Sequence, residues 1–126
     1  MILADTSIWI EFFKGNPLYH NTLSKLLEKR EVVAIEYIFG ELLQGARSAQ
    51  EKIIIKNYWS LLPKIEEKGI WLMAGEASSH RKLHSKGVGL IDLAIYSAAR
   101  FMEAKIWTLD KKLLSILRPL ETFSHE

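Results

Sequence analysis

Two short, mainly apolar runs in this chain each lead into an acid. Ile2-Leu3-Ala4 runs into Asp5, and Ile106-Trp107-Thr108-Leu109 runs into Asp110. Runs this short are the length of a strand buried on both faces rather than of a helix. Strands of that kind belong to parallel sheets covered by helices on either side. In such sheets ligands collect in the crevice beyond the carboxyl ends of the strands, where Asp5 and Asp110 fall. Two further acids stand in apolar surroundings: Glu41 in a helical stretch with Ile38, Leu42 and Leu43, and Asp92 beside the Ile91/Ile95 stripe. An acid held against an apolar face is costly unless it is paired or binds a cation. The pattern predicts one site in which Asp5, Glu41, Asp92 and Asp110 share a divalent metal.

The remaining segments alternate between helical and extended patterns. Residues 2–5 predict a strand, and Asp5-Thr6-Ser7 supplies N-cap chemistry for the helix that carries Ile8, Trp9, Phe12 and Phe13. Gly15-Asn16-Pro17 is a stop, and Tyr19 to Arg30 a second helix. Val32 to Ile35 predicts a strand, Glu36 to Arg47 a helix, and Gln50 to Leu62 another, ended by Pro63. Ile70-Trp71-Leu72 fits either a short strand or the lead into the helix predicted over Gly75 to Lys86. Ile91 to Glu103 has the clearest helical stripe, through Ile91, Ile95, Ala98 and Met102. Ile106 to Leu109 predicts a strand, Lys111 to Leu117 a helix, and Leu120 to Phe123 a last strand. Strands alternating with helices argue for an α/β fold with a mainly parallel sheet.

At 126 residues the chain is the size of one domain, spanning 1–126. No apolar run is long enough to span a membrane, the N-terminus does not read as a signal peptide because Asp5 interrupts it, and there is no cysteine for a disulfide or thiolate site. A cytoplasmic protein without membrane contact is the expectation. The net charge of +2 is small, yet gathering acids in one site leaves the rest of the surface more basic than the total suggests.

Taken singly, each acid has a plainer reading. Asp5, Asp92 and Asp110 each fit a helix cap, and Glu41 fits an exposed helical position. Taken together they fit a hard cation such as Mg²⁺ or Mn²⁺, which prefers carboxylate oxygens and water. Such an ion activates water for attack on phosphorus and neutralises charge on the transferring group. No histidine or cysteine nucleophile is then required.

The order and spacing of these motifs resemble the PIN-domain ribonucleases, and more narrowly the VapC-type toxins of toxin–antitoxin pairs. Ile2-Leu3-Ala4-Asp5-Thr6-Ser7-Ile8-Trp9-Ile10 is similar to the family's first motif, and Glu41-Leu42-Leu43-Gln44-Gly45-Ala46-Arg47 to the second. Leu90-Ile91-Asp92-Leu93-Ala94-Ile95 with Ala98-Ala99 resembles the third, and Thr108-Leu109-Asp110-Lys111 the fourth. The fourth departs from the family pattern, with Lys112-Leu113 where members commonly carry Asp-Phe. The resemblance implies an α/β/α sandwich with a short, mainly parallel central sheet. It also implies Mg²⁺- or Mn²⁺-dependent endoribonuclease activity on tRNA or ribosomal RNA, a homodimer, and a cognate antitoxin protein. In this reading Asp5, Glu41, Asp92 and Asp110 are the metal-site and catalytic acids, with Thr6 and Thr108 as candidates to hydrogen-bond them.

Arg47, Arg81, Lys82, Lys86 and Lys112 are candidates for RNA contact, though basic residues on helix faces equally fit solvation. Trp9, Phe12 and Phe13 fit core packing for the most part, with any excess available to a partner. Three other readings stand beside the ribonuclease: a phosphoacceptor domain, a non-catalytic PIN-like interaction module, and a nuclease for other nucleic acids. The first needs a pair of acids after the first strand, where this chain has Asp5 alone.

Overall fold

The computed structural model describes residues 1–124. At its centre lies a three-stranded parallel sheet, with β1 (Ile2–Ala4) between β2 (Val32–Val33) and β3 (Lys105–Trp107). Ile2 pairs with Val32 and Lys105, Leu3 with Val33 and Ile106, and Ala4 with Trp107. Leu3, Val32, Val33 and Ile106 are at most 1% exposed, so both faces of the sheet are covered, as continuous apolar runs require. Single parallel bridges extend each edge, Ala34 to Lys64 and Ile106 to Thr122.

Among the described residues seven α-helices surround this sheet: α1 (Thr6–Phe13), α2 (Pro17–Glu28), α3 (Glu36–Gln44), α4 (Ala49–Leu61), α5 (Ile70–Arg81), α6 (Leu90–Phe101) and α7 (Lys111–Leu114). The architecture is an α/β/α sandwich, and none of these helices is long and apolar enough to cross a membrane. Trp9 and Phe12 of α1 are buried, and they pack with Phe13, Phe39 and Tyr58 at ring-centroid separations of 5.3–5.7 Å. Burial in the core therefore accounts for the aromatic excess of the first helix. The strand order β2-β1-β3 means that the chain leaves β1 toward one side and returns on the other. The crevice at the carboxyl ends of β1 and β3 is thus a topological switch point, where such sheets bind ligands.

Three boundaries differ from the sequence expectation. Gly15-Asn16-Pro17 closes α1, the Asn16 N–H donating to Glu11 O at 3.2 Å, and also opens α2: the Asn16 side chain accepts the Leu18 N–H at 3.3 Å, and Pro17 rather than Tyr19 is the first residue of that helix, a position suited to its fixed φ. Ile70-Trp71-Leu72 is the first turn of α5 rather than a strand, and that helix closes at Lys82 instead of continuing to Lys86. A 3₁₀ turn, Pro119–Glu121, takes the first half of the expected last strand, and the second half touches the sheet through the Thr122 bridge and the Phe123 N–H to Ile106 O bond at 2.8 Å.

Helices α2, α5 and α6 end alike. Arg30, Lys82 and Glu103 adopt positive φ of 54–56°, and the next residue donates back across the last turn: Glu31 to Leu26 O, Leu83 to Ser78 O and Ala104 to Ala99 O, at 2.8–2.9 Å. This closure normally uses glycine, because a Cβ is strained at that φ. At Glu103 the side chain also adds negative charge to the negative end of α6. Replacing Glu103 with glycine is expected to stabilise the chain by about 1 kcal/mol, raising the thermal midpoint by roughly 3 °C. A lowered midpoint in a calorimetric scan would contradict this account of the helix end.

Candidate metal centre

Asp5 directly follows β1, and its N–H still donates to Trp107 O at 3.0 Å, so the β1–β3 ladder places it. It is only 6% exposed. Oδ1 accepts the Ser7 backbone N–H at 3.0 Å and the Ser7 hydroxyl at 2.5 Å, while Oδ2 accepts the Thr108 hydroxyl. Each hydroxyl then accepts an amide from the turn after β3. Ser7 Oγ takes the Leu109 N–H at 3.0 Å, and Thr108 Oγ1 takes the Asp110 N–H at 2.9 Å. Two hydroxyls therefore tie the end of β1 to the turn that carries Asp110. Burial raises the Asp5 pKa above its ordinary 3.8, and the bonds from Ser7 and Thr108 pull it partly back.

The other acids come from three different elements. Glu41 is half-buried on α3, and its Oε1 accepts the Thr6 hydroxyl at 2.6 Å. Asp92 is the third residue of α6, in its first turn rather than at the cap position, which Gly89 holds. Asp110 caps α7, with Oδ1 accepting the Lys112 and Leu113 N–H groups at 2.8 and 3.2 Å. Asp5 likewise caps α1, so the capping reading and the site reading hold together for both residues. Burial raises the Asp92 pKa first, and the charges of Asp110 and Glu41 raise it further, against an opposing effect of Lys112. Glu41, Asp92 and Asp110 thus share one electrostatic field at the mouth of the crevice.

Two residues of this neighbourhood escape the sequence reading. Ser7, two positions after Asp5, looks like ordinary cap chemistry until β3 is brought beside it. Tyr37 lies one helical turn before Glu41, with its hydroxyl near enough to Glu41 and Asp92 to feel both charges. Burial and the two carboxylates raise its pKa above 10.0.

The donor set fits a hard divalent cation. All four side chains offer oxygen, and their mutual repulsion is what a cation relieves. Asp5, Asp92 and Asp110 also sit at the positive N-terminal ends of α1, α6 and α7, each contributing about 0.3–1 kcal/mol to holding a negative charge. Among the described residues no three acidic or imidazole groups stand close enough together to hold a metal ion, so a cation here would draw on one or two carboxylates directly and on water for the rest, as Mg²⁺ does.

The basic candidates are placed unequally. Lys112 lies within electrostatic range of Asp92. Arg47 is exposed and lines a groove shared with Glu41. Lys82 and Lys86 are exposed on the segment between α5 and α6. Arg81 directs both terminal nitrogens to Ile116 O at 3.3 Å and lies 5.6 Å from the Tyr96 ring centroid, a contact that ties α5 to the turn after α7.

Residues 2–117 match a family model described as the PIN domain. The chain belongs to the PIN domain family. Ribonuclease VapC32 of Mycobacterium tuberculosis, in strains CDC 1551 / Oshkosh and ATCC 25618 / H37Rv, is 28% identical to this PIN domain over 116 residues, covering 90% of this chain and 87% of the relative. A toxin-antitoxin complex from Klebsiella pneumoniae contains a similar fold, with a TM-score of 0.73 and 18% identity over 100% of this chain and 98% of that one. VapBC2 from Rickettsia felis, solved with a DNA fragment from its promoter, gives a TM-score of 0.69 at 23% identity, covering 97% and 96% of the two chains. At these identities the two structures speak to the PIN fold alone.

The raised pKa values of Asp5 and Asp92 fix a sign. A folded acid with a raised pKa holds its proton to higher pH than the unfolded chain does. Each ionisation therefore costs the fold stability as pH rises through the window above 3.8, and stability returns as pH falls toward that value. In EDTA near neutral pH, Asp92→Asn is expected to raise the thermal midpoint and flatten this dependence. A lower midpoint for Asp92→Asn under those conditions would show that the carboxylate is stabilised rather than strained by its neighbours.

Proposed function

We propose that this PIN domain is a divalent-metal-dependent endoribonuclease, acting as a toxin that a cognate antitoxin protein neutralises. The observation that carries the reading is the convergence of Glu41, Asp92 and Asp110 on one field beside the braced Asp5, at the switch point of the sheet. The named ribonuclease relative, matched over most of both chains, supports RNA as the substrate class. The substrate is a structured cellular RNA, tRNA or ribosomal RNA, and the protein works in the cytoplasm as a homodimer.

Asp5, Glu41 and Asp92 would hold Mg²⁺ or Mn²⁺, with Asp110 completing the set. Bound there, the ion activates water and neutralises charge on the phosphoryl group. The chain's own residues supply orientation. Thr6 holds one oxygen of Glu41, and Ser7 and Thr108 hold both oxygens of Asp5, so the carboxylates keep their direction when the local charge changes. Lys112, Arg47, Lys82 and Lys86 meet phosphates flanking the cut, whereas Arg81 serves chiefly to join α5 to the turn after α7.

For the antitoxin, a groove of about 450 Å³ between α1, α3 and α4 supports a docking place. Ile10, Phe13, Leu42, Ala46, Ile54 and Ile55 line it, and Glu41 and Arg47 also line it. An apolar antitoxin segment seated there would reach the acids, so that inhibition and binding share one surface.

Purified chain freed of any copurifying partner is expected to cut total cellular RNA into discrete products with Mg²⁺ or Mn²⁺. EDTA and Asp5→Asn should each abolish the products. Metal-independent cleavage, or full activity in Asp5→Asn, would refute the mechanism; DNA cleavage without RNA cleavage would reassign the substrate. Thr108→Val, which removes the hydroxyl but keeps the shape, is expected to cost about 10–100-fold in rate, and an unchanged rate would remove Thr108 from the site.

A further inference from the structure

Basic side chains and a cation answer the phosphates at this site, but none of them offers a flat face for a base. Tyr37 has the required features. Its position on α3, four residues before Glu41, puts both side chains on one helix face. Its hydroxyl feels the charges of Glu41 and Asp92, so the polar end of the ring lies toward the acids. The side chain is partly exposed, which leaves part of the ring at the mouth of the site. Other aromatic rings of the chain are already used: Trp9, Phe12, Phe13, Phe39, Tyr58 and Trp59 pack on one another. Among the described residues no aromatic ring packs against Tyr37.

We propose that Tyr37 is the substrate-positioning residue of this site, stacking an unpaired base next to the scissile phosphate with its hydroxyl turned toward the acids. The proposal rests on the ribonuclease reading and deepens it: the preferred substrate is single-stranded at the cut, because only an unpaired base offers a free face to the ring. A base on an aromatic ring is recognised through its π face, so the contact locates the strand with little demand on its sequence.

The test compares Tyr37→Leu, Tyr37→Phe and Tyr37→Trp with the wild type on a single-stranded oligoribonucleotide. KM and kcat are read separately, and circular dichroism confirms the fold. Binding of the same oligonucleotide to Asp5→Asn chains with and without Tyr37→Leu is measured by fluorescence anisotropy. The expected result is a KM raised about tenfold in Tyr37→Leu, with kcat nearly unchanged, a rise of about twofold in Tyr37→Phe, near-complete rescue in Tyr37→Trp, and a matching loss of binding. A fall in kcat with KM and binding unchanged would overturn the proposal and leave Tyr37 as a brace for Glu41. Unchanged kinetics in all three variants would overturn it as well. If the wild type does not cut RNA, the ribonuclease reading fails on its own; weaker oligonucleotide binding by Tyr37→Leu would then still support the strand contact, and equal or absent binding would overturn it.

Discussion

A buried carboxylate at the end of the central strand is the constraint on which the rest of this molecule depends. Asp5 is taken out of water by the same sheet that gives the domain its core, and burial alone would push it toward the neutral form. Ser7 and Thr108 prevent the carboxylate from being an unpaired charge. Each hydroxyl has one proton to give and gives it to Asp5; each then uses a lone pair on an amide of the turn after β3. The brace therefore sets the direction of Asp5 and the position of Asp110 at once. It also requires β3 to lie beside β1, since the Thr108 hydroxyl could not otherwise reach Asp5.

From that point outward the fold gathers like charges that a stable domain without function would keep apart. Glu41 and Asp110 raise the pKa of Asp92, and three helix N-termini offset only part of the repulsion. The remaining repulsion is what a bound cation would relieve. The chain compensates elsewhere, through a sheet whose central residues are almost wholly buried and through the aromatic packing of α1 against α3 and α4. A local arrangement that conflicts with stability, held by a core that does not, is what marks a working site within a small fold.

Much of this was legible in the sequence because it rests on local patterns. The runs ending in Asp5 and leading into Asp110 announced parallel strands, and the strand ends placed two acids in one crevice. Helical periodicity placed Glu41 and Asp92 on the elements that carry them. What stayed hidden depends on contacts between distant segments. Ser7 reads as a cap until Leu109 is known to lie over its oxygen, 102 residues away along the chain. Tyr37 looks like any partly exposed tyrosine until α6 brings Asp92 to face it. Arg81 reads as part of a basic stretch, yet its guanidinium turns to the carbonyl of Ile116. Local errors had local causes: Pro17 stops a helix or starts one depending on the residue before it, and Asn16 made it a start. Ile70-Trp71-Leu72 has strand composition but opens α5, a helix that packs on α6 through residues such as the buried Ile70 and Ala74, while Trp71 and Leu72 stay exposed.

The central claim is that the four acids form a cation site organised by the brace on Asp5. Its most direct test is titration of the metal-free chain with Mn²⁺, followed by electron paramagnetic resonance of the free ion. The account predicts saturable binding that Asp5→Asn abolishes and that Ser7→Ala weakens without unfolding the chain. Absence of binding to the wild type, or binding that Asp5→Asn leaves intact, would contradict it and make the acids a feature of helix capping alone.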